Sequence, residues 1–251
     1  MEIPRHFPVM LEEVLEYLAV KPDGTYLDVT AGLGGHTSAI ASRLTGGGRL
    51  ISNDRDAQSL EFARRKAAEW ADRIEFRHGS FTQLAQDAPV GLDGVVADLG
   101  ISLYQLTDAE RGFSFRVDAD LDMRMDQSQG ITASDLVNYE SEKSLADFIF
   151  NLGDERRARK IARAIVKARP LRSTLHLAGV VAGVIAKTSH LHPATKTFMA
   201  LRMAVNREQE ELDSLLELLP KMVKTGGRIV VISFMSLEDG KVKESFRKLA
   251  T

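Results

Sequence analysis

The chain contains no cysteine. Disulfides, thiolate zinc centres and a cysteine nucleophile are therefore excluded, and a reducing cytoplasm is permitted. No apolar run approaches the ~20 residues that a membrane-spanning helix needs, and the opening residues MEIPRH do not read as a signal peptide. A Walker-type G-x-x-x-x-G-K-[ST] phosphate loop is also missing. So is an excess of either charge: 33 Lys and Arg against 35 Asp and Glu give a net charge of −2. That balance argues against a uniformly basic nucleic-acid binder but leaves local patches open. The sequence shows neither an internal repeat nor a low-complexity tract. These absences lead us to expect a soluble, cytoplasmic globular protein with no membrane segment.

What is present is 251 residues, 44% hydrophobic and 27% charged. That length suits one large domain or one domain carrying an insertion. Such a chain buries roughly 70–75% of its unfolded surface and needs no covalent staples. Short β-type runs occur at 25–30 (TYLDVT), 49–53 (RLISN), 73–77 (RIEFR), 94–97 (GVVA) and 228–234 (RIVVISF). Several are almost continuously apolar, as strands covered on both faces should be. Helical patterns at 9–18, 36–44 and 57–70 alternate with the first strands, which implies right-handed crossovers and an open, mainly parallel sheet. The rhythm breaks after Ile101. A loop rich in Asp and Arg at 107–127 precedes helical stretches at 133–138, 142–151, 154–168 and 175–186, and helical patterning resumes at 194–219. The expected fold is α/β, a Rossmann-like sheet domain (1–102 and 192–251) with an all-helical subdomain (103–191) inserted between its fourth and fifth strands.

The first strand runs into D-V-T-A-G-L-G-G-H, residues 28–36, and then a helix. Glycines there permit positive φ and a close backbone approach to a ligand at a helix N-terminus. The second strand ends at Asp54, 20 residues beyond Gly34, where a carboxylate can accept from a ribose diol. A nucleoside-containing cofactor is expected. The third small residue of a dinucleotide fingerprint falls on Thr37, an imperfect match. An acidic residue beside the glycines, Asp28, favours a cationic ligand over a pyrophosphate, and S-adenosylmethionine carries both a sulfonium and an ammonium group. Residues 79–81 (GSF) place Phe81 as an apolar wall for the adenine, and 98–100 (DLG) open the same cleft at the carboxyl edge of the sheet.

Along the chain follow HFPVMLEEV (6–14), residues 28–36, DLGIS (98–102) with Gln105, ERGFSF (110–115), LDMRMD (121–126), IARAI (161–165), HPAT (192–195), ALRMAVN (200–206) and 226–234 with SLED (236–239). The resemblance these carry, over nearly the whole length, is to the MraW/RsmH-type 16S ribosomal RNA (cytosine-N4)-methyltransferases. It implies a class I methyltransferase sheet with an inserted substrate domain, and transfer of a methyl group from S-adenosylmethionine to N4 of a decoding-region cytidine in 16S rRNA. It places cofactor contacts on Gly34, Gly35, His36, Asp54, Phe81, Asp98 and Gln105. The chain departs from the usual pattern at Leu103 and Tyr104, where Ser and Pro are common, and at Met235 and Gly240, where His and Arg are common. Family members continue several tens of residues further and add a closing strand. Without it, the run at 228–234 is expected at the sheet edge.

For the implied reaction, Asp98 and Ser102 are the candidate acceptors near N4, and Phe113 and Phe115 are candidates for a base-pocket wall or for core packing. His36 reads as a helix-start residue that contacts cofactor or backbone. His176 and His190 read as ordinary histidines, and His192 as a residue that positions the following helix. Asp118, Asp120, Asp122 and Asp126 are expected in a solvated loop paired with Arg116 and Arg124, and no metal is assigned. The candidate RNA surface is 154–172, with eight basic residues against two acids. Arg156, Lys160, Arg163 and Lys167 fall on one helical face. The partners expected are 16S rRNA in the small ribosomal subunit and, as an option the sequence leaves open, a second copy in a homodimer. A small-molecule methyltransferase and a non-catalytic cofactor- or RNA-binding module remain alternatives at this point.

Overall fold

The computed structural model describes residues 7–185 and 191–250; His6 and His190 lie outside them. The chain divides into two units, Met1–Ser102 with Gln209–Thr251, and Leu103–Glu208.

The first unit is built on a parallel sheet. Its strands are β1 (Thr25–Asp28), β2 (Arg49–Asp54), β3 (Ile74–His78), β4 (Leu92–Asp98) and β5 (Val223–Ile232), in the spatial order β3-β2-β1-β4-β5. The register pairs Leu27 with Ile51 and Val95, and Val96 with Val230. Successive side chains point to opposite faces, so adjacent positions feed different cores. Tyr26, Leu50 and Val96 pack with Val14 and Leu18 of α1 (Leu11–Leu18) and Ile40 of α2 (Gly35–Ala41). Leu27, Ile51, Val95 and Ala97 pack instead with Leu84 of α4 (Phe81–Leu84), Leu215 and Leu219 of α11 (Glu208–Met222), and Val242 of α12 (Ser236–Leu249). Burial on both faces explains the uninterrupted apolar runs in β1 and β4. β5 lies at the sheet edge and runs Val223–Ile232 rather than to Phe234, which is exposed.

The second unit is helical: α5 (Leu103–Thr107), α6 (Ala133–Tyr139), α7 (Glu142–Asn151), α8 (Ala158–Lys167), α9 (Thr174–Ala182) and α10 (Thr195–Val205). Expected with the sheet domain, α10 belongs here. It buries Thr197, Phe198, Ala200, Leu201 and Met203, and a Cβ at Gly153, just past α7, would lie 2.7 Å from the Lys196 carbonyl oxygen. The pattern at 194–219 is two helices rather than one. It breaks at Asn206 and Arg207, the latter at φ 49°.

The segment 107–127 is packed in part rather than solvated throughout. Arg116, Asp118 and Asp120 are exposed as expected, but Leu121, Met123 and Met125 are buried. The fully buried Arg111 donates to the carbonyls of Arg124 (3.0 Å) and Met125 (2.8 Å). Arg124 grips Asp122 with two bonds of 2.8 Å, which holds the Asp122 carboxyl below its ordinary range. Gly112 sits at φ 68°, and a Cβ there would come within 2.3 Å of the Asp120 carbonyl oxygen. Phe113 is buried, which assigns it to the core. Phe115 stacks on His192, ring centroids 4.6 Å apart, and meets Phe198 edge-on at 4.9 Å. His192 Nδ1 accepts the Ala194 N–H, so the ring anchors the start of α10.

Candidate cofactor and active site

In the first unit, the carboxyl ends of β1, β2 and β4 gather most of the residues expected at the site. The turn leaving β1 places Gly32 at φ 50° and Gly34 at φ 80°, conformations that L side chains rarely adopt. A Cβ on Gly34 would stand 2.7 Å from Cα of Ala63 on α3 (Ala57–Lys66), so glycine is needed for the helix contact as well. The same construction at Gly32 meets nothing nearer than 3.9 Å, so that face of the turn is open. Asp54, at the end of β2, holds the turn: its Oδ2 accepts the Gly32 N–H at 2.7 Å and its Oδ1 the Asp56 N–H at 2.8 Å. Burial raises the Asp54 carboxyl to about 7 against the pull of those two N–H groups.

Asp28 has a different role from the one expected. It is 1% exposed, and its oxygens accept the Thr30 N–H at 3.1 Å and the Thr37 hydroxyl at 2.7 Å. Thr37 also bonds Ser52 on β2, and Thr30 Oγ1 accepts the Asp98 N–H at 2.7 Å. Asp28 is thus the hub of a polar chain linking three strand ends, and burial pushes its own pKa up.

The unengaged oxygen belongs to Asp98. Its Oδ1 is buried without a hydrogen-bond partner, while Oδ2 lies 3.9 Å from Nδ1 of His36. Burial raises this carboxyl to about 6; the nearby His36 opposes the rise and Asp28 adds to it. His36 is buried at the start of α2. Its Nε2 lies 3.0 Å from the Val9 carbonyl oxygen; a carbonyl only accepts, so Nε2 carries the proton and Nδ1 faces Asp98. Gly35 accommodates Pro8, whose Cβ would be 2.8 Å from a Cβ placed there. The segment 8–9 is thereby fixed against the glycine turn.

A family model for the MraW methylase family matches residues 4–251. The chain belongs to that family. Among curated relatives, the ribosomal RNA small subunit methyltransferase H of Solibacter usitatus is 59% identical over 97% of this chain and 86% of its own length. Those of Koribacter versatilis and Acidobacterium capsulatum are 49% and 47% identical, over 96% and 99% of this chain and 81% and 87% of their own.

The remaining site residues are placed as follows in this member of the MraW methylase family. Phe81 opens α4, whose N-cap Ser80 forms a capping box with Gln83. The ring is partly buried against the core that α11 covers. Ser102 lies between β4 and α5, and Gln105 is buried on α5 in the second unit. Sequence reasoning missed Thr30, Thr37, Ser52 and Glu211. Glu211 on α11 accepts the Thr82 N–H at 2.9 Å and its hydroxyl at 2.8 Å, clamping the four-residue helix that carries Phe81. Glu211→Ala should cost about 1–2 kcal/mol and speed hydrogen exchange at the amides of Thr82, Gln83 and Leu84. Unchanged exchange there would show that α4 holds Phe81 unaided.

Proposed function

We propose that the chain methylates small-subunit (16S) ribosomal RNA from S-adenosylmethionine, at the exocyclic N4 of a decoding-region cytidine. The observation that carries the cofactor assignment is the unpartnered, buried Oδ1 of Asp98 beside an open glycine turn. The residues present fit a cationic nucleoside ligand. Gly34 and Gly35 would let it approach the backbone, Asp54 would meet the ribose, Phe81 the adenine and Asp98 the positive end. The RNA substrate is supported by the relatives' names, and N4 by the likeness of the RGFSF and LDMRMD segments to the cytosine-N4 enzymes.

Bound there, S-adenosylmethionine supplies an electrophilic methyl group on a sulfonium. The lone pair of N4 is delocalised into the cytosine ring, so the protein must position it and take up a proton. Holding reactants in line supplies up to ~7–11 kcal/mol of barrier reduction. Asp98 Oδ1 and the Ser102 hydroxyl are the acceptors for the N4 hydrogens. A carboxyl near 6 is ionised at neutral pH and still basic enough to receive a proton as N4 gains its methyl.

The helical unit is the RNA-recognition domain in this reading. Lys160, Arg163 and Lys167 project from α8 opposite its buried Ile161 and Ile165, and Arg156 lies in the turn before the helix; all four are exposed. Arg163 makes one exposed ion pair, with Glu142 at 3.4 Å, too weak to neutralise the face. Tritiated methyl transfer to small subunits lacking the modification tests the function. Label should enter the RNA with the wild type and not with Asp54→Ala, which should lose cofactor affinity. Reversing the charge of Arg156, Lys160 and Arg163 should weaken RNA binding and leave cofactor affinity intact. Cofactor binding by the wild type without label in RNA would overturn the assignment in favour of a binding module.

A further inference from the structure

Tyr139, the last residue of α6, is 83% exposed. Its ring has no stacking or hydrogen-bonding partner among the described residues. A single exposed aromatic is ordinary; the support beneath this one is not. Arg169 donates Nε to the Val137 carbonyl at 2.8 Å and an η-nitrogen to that of Glu140. Asn138 and Leu171 exchange two bonds: the Leu171 N–H donates to Asn138 Oδ1 at 2.8 Å, and Asn138 Nδ2 to the Leu171 carbonyl at 3.0 Å. The residues on either side of Tyr139 are therefore tied to the segment 169–171, which continues directly from α8. The ring stands on a fixed backbone, joined to the end of the stretch that carries Lys160, Arg163, Lys167 and Arg172.

We propose that Tyr139 is a stacking platform for an unpaired base of the RNA strand whose phosphates follow the basic face of α8. The proposal rests on the reading of α8 as an RNA surface and adds the recognition mode: a single-stranded segment, held by charge along its backbone and by π-contact at one base. Cationic surface with an adjoining aromatic is how proteins hold single strands without reading their sequence. A tyrosine gives up little side-chain freedom on stacking, and here its backbone is already fixed. The guanidinium of Arg169 serves to position the platform. The acids nearest in sequence are Glu140 and Glu142, and Glu142 is already paired with Arg163.

The test uses the full chain and a labelled single-stranded RNA oligonucleotide, titrated over a range of salt concentrations. Tyr139→Ala should raise the Kd about tenfold or more, whereas Tyr139→Phe and Tyr139→Trp should stay within about twofold of wild type. The slope of log Kd against log salt should be unchanged in Tyr139→Ala and smaller by about 0.7 in Lys167→Ala, because only the latter loses a phosphate contact. Cofactor affinity should not move in either. Tyr139→Ala binding as tightly as wild type would overturn the platform, as would Tyr139→Phe binding as weakly as Tyr139→Ala. A defect seen with assembled subunits but not with naked RNA would assign the ring to a protein contact and also overturn it. If the wild type itself shows no salt-dependent RNA affinity, the RNA reading of α8 falls and the platform with it.

Discussion

Asp98→Asn is expected to reduce methyl transfer by about a hundredfold or more, while at neutral pH the variant is more stable than the wild type. The loss follows from the acceptor role, since an amide cannot take up a proton from N4 and no longer attracts a cationic cofactor; removing a positioned acid–base group typically costs 10²–10⁴-fold. The gain follows from burial. The Asp98 carboxyl is raised to about 6 in the folded protein, so the folded state holds its proton more tightly than the unfolded chain does. Stability must then fall as pH rises from near 4 through about 6, because ionisation is easier after unfolding. Removing the charge relieves a penalty on the order of 3 kcal/mol at pH 7 and almost none at pH 4. Calorimetry of both proteins across that range, alongside tritium transfer at neutral pH, checks the two halves together. Turnover within about tenfold of wild type would remove Asp98 from the reaction, and a stability gain over wild type no larger at pH 7 than at pH 4 would show that the charge is not strained.

The sheet could be read from the sequence because its signal is local. Each strand is a short apolar run, and the alternation with amphipathic helices dictates parallel pairing, so β1 to β4 were located to within two residues. β5 was not. Its first half, Val223 to Gly227, is polar and glycine-rich, and it joins the sheet through an irregular pairing between Leu92 and Gly94; no hydrophobic pattern announces an edge strand of that kind. The insertion was visible as a change of rhythm at Ile101, but its far boundary was not. Helices α10 and α11 are both amphipathic, and it is the buried face of α10 and the close passage of Gly153 against Lys196 that show which unit α10 serves.

The site shows the same division. Gly32, Gly34 and Asp54 sit at spacings imposed by a strand–turn–helix unit, so they are recoverable from one stretch of chain. Asp28 and Asp98 were both recognised as carboxylates at strand ends, and nothing in sequence separates them. Their difference lies in the Thr30 N–H and the Thr37 hydroxyl, which engage Asp28, while Asp98 Oδ1 is left unpartnered. Glu211 lies 129 residues from the Thr82 it clamps, and a contact at that separation leaves no periodic trace. Charge patterning on α8 was legible, but Tyr139 was not, because its significance depends on Arg169 and Asn138 joining two distant segments.

Asn206→Ala should destabilise the helical unit by about 3–5 kcal/mol. The residue is 2% exposed and stands where the chain leaves α10. Its Oδ1 accepts the Met125 N–H at 2.7 Å, and its Nδ2 donates to the carbonyls of Met123 at 2.7 Å and Arg202 at 2.8 Å. The first two bonds cross more than 80 residues and fasten the packed 121–125 segment to the end of α10. Truncation takes the partner from the Met125 N–H and from the Met123 carbonyl, whereas the Arg202 carbonyl keeps the Asn206 backbone N–H at 3.0 Å; each orphaned group carries its desolvation penalty of about 1–3 kcal/mol unless water enters. Relaxation is restricted, because Met123 and Met125 are themselves buried and Arg111 holds the same segment through the carbonyls of Arg124 and Met125. The thermal midpoint of the unit should fall by on the order of 10 °C, and circular dichroism melting measures it. Asn206→Asp keeps the acceptor for Met125 but turns a carboxylate toward two carbonyls, so it should rescue nothing. A fall of less than about 3 °C in both variants would mean that water replaces the amide at no cost, and that the 121–125 segment is held chiefly by Arg111.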